Sequence, residues 1–188
     1  MVKEIIQIGN PLLGKVSEVV TADELNSKSF KELLKDLRDT VSQKGLNSVG
    51  LSAVQIGVLK RVFISRRVDL SKNPESGPWE VFINPKLSAV GVEQSTMWEG
   101  CLSIGTGKSQ LFGPVTRAAK VKVDYIDMHG ATKSVTADDY MAHVLQHELD
   151  HLNGVLFLKH IQNPKNIWRS DALDKYLTKY GDYPELAA

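Results

Sequence analysis

The stretch Gln146-His147-Glu148-Leu149-Asp150-His151 decides how the rest of the chain is read. It contains the pattern H-E-x-x-H. On a helix, His147 and His151 stand one turn apart on the same face, so both imidazoles can reach one ion. Glu148 directly follows the first of them and can sit beside a bound water, whose pKa a divalent ion lowers to about 7. The same short pattern also arises by chance on solvated helix faces, so its surroundings must supply the rest of the argument. Upstream, Thr136-Ala137-Asp138-Asp139 resembles a helix cap, and a helix is expected from there to about His151 or Asn153. The pattern then lies wholly within one helix.

Two histidines are too few, because a catalytic site of this kind takes three protein ligands and keeps one open position. The longer protease pattern H-E-x-x-H-x-x-G-x-x-H is followed as far as Gly154, but Phe157 stands where its third histidine would fall. His143 is one turn before His147, yet ideal helix rise puts it about 12 Å from His151 along the axis, too far for one ion to bind both. His129 and His160 remain possible from spacing alone. Cys101, in Trp98-Glu99-Gly100-Cys101-Leu102-Ser103, is the better candidate, since a thiolate suits zinc and ferrous iron alike. It is the sole cysteine and has no partner for an internal disulfide.

Moving outward, Thr21-Ala22-Asp23-Glu24 reads as a capping box opening a helix that carries Phe30, Leu33, Leu34, Leu37 and Val41 on one face and stops near Gly45. Lys60 to Arg66 and Trp79 to Asn84 read as strands, with a polar loop from Ser71 to Pro78 between them. Lys120 to Tyr125 alternates as a strand, and His129-Gly130 turns into another near Thr132 to Val135. Asn163-Pro164 is a cap and first-turn pair for a last helix, so residues from about 164 to 188 are expected as a C-terminal helix and tail. The expected fold class is α+β: mixed or antiparallel strands packed around a central H-E-x-x-H helix, in a single domain over 1–188.

With 42% hydrophobic and 24% charged residues, the chain has an ordinary globular composition. Its formal net charge of +1 gives no long-range attraction to nucleic acid or an anionic membrane. No apolar run approaches the ~18 residues of a membrane span. The start Met1-Val2-Lys3-Glu4 lacks a basic-then-apolar leader pattern, and a cytoplasmic location is expected.

Three segments together resemble one family. Gly50-Leu51-Ser52-Ala53-Val54-Gln55 resembles the G-L-A-A-x-Q motif of peptide deformylases, Glu99 to Ser103 their E-G-C-L-S motif, and Gln146 to Gly154 their Q-H-E-x-D-H-L-x-G motif. Gly9 to Leu13 is similar to the family's N-terminal region. The resemblance implies an enzyme that removes the formyl group from N-formylmethionyl peptides, nascent chains at the ribosome included. It implies one divalent ion on Cys101, His147 and His151, commonly Fe(2+), with zinc, nickel and cobalt also suited to these ligands. Glu148 would be the general base and later the proton donor, and the Gln55 amide and Leu102 N–H would stabilise the oxyanion. Val49 and Gly50 would lie along the bound peptide, with Glu99, Gly100, Tyr140, His143, Val144 and Lys108 completing the substrate surround.

The sequence departs from the family pattern at Ser48, Ser52, Lys108, Gly113 and His143. His143 replaces an apolar residue of the methionine pocket. There it would weaken methionine binding, more so when charged below about pH 6.5; the alternative is a ring turned away, lining nothing. These departures bear on specificity, and they leave open a related hydrolase with another N-acyl substrate. A non-catalytic fold that binds ribosomes or nascent chains would need neither Glu148 nor Gln55.

Overall fold

The computed structural model describes residues 1–43, 48–71 and 77–187. Thr21 opens a helix, as its reciprocal bonds with Glu24 require, but this helix, α1, spans only Ala22–Leu25. The chain restarts at Ser27, whose extended backbone lets its side chain accept the Phe30 N–H at 3.1 Å, and the long helix α2 runs Lys28–Val41. One expected helix is therefore two. Phe30, Leu33, Leu37 and Val41 are buried along α2, while the expected stop at Gly45 lies outside the described residues.

Among the described residues, eight strands form two antiparallel sheets. The larger has the order β1 (Gly50–Ser52), β2 (Val62–Arg66), β3 (Trp79–Ala89), β6 (Lys120–Ile126), β7 (Thr132–Asp138). The smaller has the order β4 (Gln94–Gly100), β5 (Leu111–Ala118), β8 (Trp168–Arg169). Strand β2 is covered on both faces. Val62 and Ile64 join Leu33 and Leu37 of α2 in one core, and Phe63 joins Phe82, Val123 and Leu145 in another. Each such side chain, fully buried, contributes about 1.5–3 kcal/mol. The second core lies against α3 (Asp139–Leu152), the helix that carries the H-E-x-x-H pattern. A third, smaller core of Cys101, Ile104, Val115 and Phe157 belongs to the smaller sheet. The fold is thus α+β, with α3 at its centre.

Two expected boundaries are corrected. Thr136 is not a cap: β7 continues through it to Asp138, pairing residue for residue with β6, and turns straight into α3. Ladder pairing outweighs the capping preference there, and the corner is made by Asp139 at φ 48°, its N–H donating to Ala119 O. Asn163 does cap a turn, accepting from Lys165 N, but that turn is a 3-10 helix of three residues, Pro164–Asn166. The chain then pairs as β8 with Leu111 and Phe112 before the last helix, α4, runs Ser170–Tyr180. Ile167 and Trp168 are therefore not helical. After α4 the chain returns to the smaller sheet, where Tyr183 stacks on Trp98. Among the described residues no helix is long and apolar enough to cross a membrane.

Candidate active site

Strand β4 and helix α3 face each other, and the site forms between them. Every second residue of β4 points to α3, which brings Glu99 against the helix. Its carboxylate accepts from His147 Nδ1 at 2.9 Å, from His143 Nδ1 at 3.0 Å, and from Arg117 of β5 at 2.6 and 3.0 Å. Burial works against the Glu99 charge, but the bonds from His143, His147 and Arg117 outweigh it and hold its pKa well below the usual carboxylate range. Because His147 Nδ1 is occupied, its Nε2 is the nitrogen left for a metal, the arrangement typical of liganding histidines.

Just after β4 the chain turns, and Cys101 Sγ comes within 3.2 Å of His151 Nε2. One ligand atom each from Cys101, His147 and His151 lies within 4.8 Å of the others, the one such cluster among the described residues. Burial would raise the Cys101 thiol, but the His151 and His147 imidazoles prevail and bring its pKa to about 5. Burial would lower His147, yet its bonds to Cys101 and Glu99 hold it well above its ordinary value. A site that takes the proton from a thiol and keeps one on an imidazole is built for positive charge. The donor set of one thiolate and two imidazoles fits a divalent transition metal.

Glu148 lies beside this cluster, buried against Gly50 of β1. A Cβ on Gly50 would sit 2.3 Å from Glu148 Oε1, so only glycine leaves the carboxylate its place. Ser52 Oγ donates to Glu148 Oε2 at 2.7 Å. Burial raises the Glu148 pKa, and His151, His147 and Ser52 pull it back only in part. Gln55 follows in a 3-10 turn. Its Oε1 accepts from Ser52 N at 2.9 Å, which turns Nε2 toward Ser103 Oγ at 3.2 Å and Cys101 Sγ at 3.7 Å. The N-terminal segment secures both loops: Ile6 N donates to Gln55 O, Gln7 Nε2 to Leu102 O and Ile8 N to Ser103 O.

The other residues singled out from sequence are scattered more widely. Glu99 stands behind His147. His143 is 2% exposed and turned inward, with Nε2 3.0 Å from Ser95 Oγ. Val144 is buried, Tyr140 exposed at the start of α3, and Val49 beside β1 accepts the Arg66 N–H. Gly100 makes room for the Phe112 ring, and Lys108 is exposed on a 3-10 turn, Gly107–Ser109. Gly113 has a packing reason, since a Cβ there would lie 2.4 Å from Ile161 Cδ1. His160 Nε2 donates to Asp150 Oδ2 at 2.8 Å, and neither joins the cluster. Sequence reading missed Arg117 and Ser95. An arginine at an inward position of a strand was the available signal for the first, and there was none for the second.

A sequence profile of the family described as Polypeptide deformylase matches residues 2–166. Peptide deformylase of Leptospira biflexa is 34% identical over 176 residues, covering 92% of this chain and 95% of that protein. That of Brucella suis is 38% identical over 164 residues, with 87% of each covered. The class I type b peptide deformylase of Acinetobacter baumannii, solved with Met-Ala-Ser bound, superposes with a TM-score of 0.74 at 32% identity, covering 86% of this chain and 99% of that one. The Synechococcus elongatus enzyme in complex with actinonin gives a TM-score of 0.74 at 27% identity, over 95% of this chain and 86% of that one. A match running through nearly the whole chain, on the same fold and over the range that holds all three motifs, places it in the peptide deformylase family of hydrolases.

Proposed function

We propose that this chain removes the N-formyl group from the N-terminal formylmethionine of newly made polypeptides in the cytoplasm, with Glu148 as general base. The observation that carries the reading is the convergence of Cys101, His147 and His151 with the buried Glu148 carboxylate alongside. A divalent ion on those three residues, Fe(2+) in the first instance and zinc, nickel or cobalt otherwise, would supply a water of lowered pKa and polarise the formyl oxygen.

The protein's own groups do the rest. Glu148 takes the proton of the attacking water at its carboxylate and later returns it to the leaving amine, as the formyl C–N bond breaks to give formate. Its raised pKa brings it nearer the operating pH, which favours both transfers. Gln55 Nε2–H and Leu102 N–H donate to the developing oxyanion, each lowering the barrier by on the order of 3 kcal/mol. Strand β1 is an edge of its sheet, and an extended peptide can pair along Val49 and Gly50. The Met-Ala-Ser peptide bound by the Acinetobacter neighbour supports a substrate of this kind.

The test is purification without oxygen, metal analysis and an assay with formyl-Met-Ala-Ser. One ion per chain and release of formate are expected, and Cys101→Ala should lose most of the metal. Full metal content in that variant would refute the ligand assignment.

A further inference from the structure

We infer that His143 is a positioning residue for the metal ligand His147, acting through Glu99 and itself fixed by Ser95; the inference rests on the metal site proposed above. Ser95 and Glu99 are four residues apart on β4 and project from the same face of the strand. His143 and His147 are four apart on α3 and share a face of the helix. The four side chains interleave as a zigzag. Ser95 Oγ lies 3.0 Å from His143 Nε2, His143 Nδ1 3.0 Å from Glu99 Oε1, and His147 Nδ1 2.9 Å from Glu99 Oε2.

A carboxylate offers about four acceptor sites, and here all are used. Arg117 takes one on each oxygen through its fork, and the two imidazoles take the other two. The fork holds the carboxylate from one side only. The two imidazoles bracket it from successive turns of α3, so the Glu99 oxygen that faces His147 cannot swing away from that ring without breaking the bond to His143. His143 can play this part only with its proton on Nδ1. Ser95 selects that tautomer by donating its hydroxyl to Nε2. An apolar residue, which the family pattern has at this position, could neither donate to Glu99 nor be set by Ser95.

The test compares His143→Phe, His143→Asn and Ser95→Ala with the unaltered chain, reading zinc affinity by chelator competition and the visible spectrum of the cobalt-loaded protein. Phenylalanine fills the space without a donor; asparagine is smaller but places an N–H where Nδ1 was. His143→Phe should raise the zinc Kd about tenfold, the low end of what loss of a ligand's orienting partner costs. It should also shift the cobalt spectrum. His143→Asn should recover most of both. Ser95→Ala, a small change that the fold should tolerate, should move both readouts in the same direction as His143→Phe, and should add little when combined with it. Unchanged zinc affinity and cobalt spectrum in Ser95→Ala, or an asparagine variant as impaired as the phenylalanine one, would overturn the inference while leaving the deformylase reading intact. An unaltered chain that binds no metal would defeat both.

Discussion

Glu148 sits in a place made for it by its neighbours' small size. Gly50 leaves it room and Ser52 reaches one oxygen, while burial raises its pKa and so favours a proton acceptor that can also donate. Glu148→Ala should keep its metal and its fold but lose roughly a thousandfold or more in kcat, as removal of a general base does. Metal content by elemental analysis and formate release by assay give the two readings, and near-normal turnover would end the mechanism proposed for it. At this scale the sequence was informative wherever a residue acts with its neighbours in the chain. His147, Glu148 and His151 were legible because helical spacing alone puts them together. Ser95, Arg117 and the contact that Ser52 makes were not, because each meets its partner only across the fold, Ser52 and Glu148 being 96 residues apart.

Among the elements, the strands legible in the sequence were those with a plain apolar alternation, such as β6 with Val121, Val123 and Tyr125 inward. Strands β4 and β5 went unread because their inward faces serve the site. Ser95 and Glu99 are polar positions turned inward on β4, and β5 carries Gly113-Pro114 at its middle. Proline is tolerated there because β8 pairs only with Leu111 and Phe112, leaving β5 a single neighbour at Pro114. Just after β2, Arg67 grips Asp69 with both Nε and Nη2 at 2.8 and 2.6 Å and reaches Glu80 of β3. The Arg67 hydrogen bonds hold the Asp69 pKa below its ordinary value. Between the folded and unfolded pKa values the unfolded chain binds more protons, so the pair's stabilisation is complete above about pH 4 and fades as pH falls through that range. Asp69→Asn should cost on the order of 1 kcal/mol at pH 7, since the pair is bidentate and only partly exposed. The difference from the unaltered chain should shrink toward pH 3. Urea midpoints measured from pH 3 to 7 would show it, and a gap that widened on acidification would contradict the linkage.

In the whole molecule, α3 is shared: its apolar side completes the core of the larger sheet, and its polar side meets β4 of the smaller one. That division explains why the α+β class and a central helix could be expected from sequence while the separation into two sheets could not. Which strands pair is settled by contacts far apart in the chain, as in Gln146 of α3 bonding Ala118 N and O at the end of β5. The site therefore spans two layers, with Cys101 on one and the histidines on the other. Cys101 has a further use as a built-in chemical probe. It is the molecule's sole thiol and is only 3% exposed. Any chromogenic thiol reagent therefore counts this site and nothing else. Burial slows labelling in either state, but loaded protein should be labelled more slowly still than chelator-stripped protein, and a mixed preparation in two phases whose amplitudes give the stripped fraction. Equal labelling rates before and after chelation would mean that the sulfur is not shielded by the ion at all.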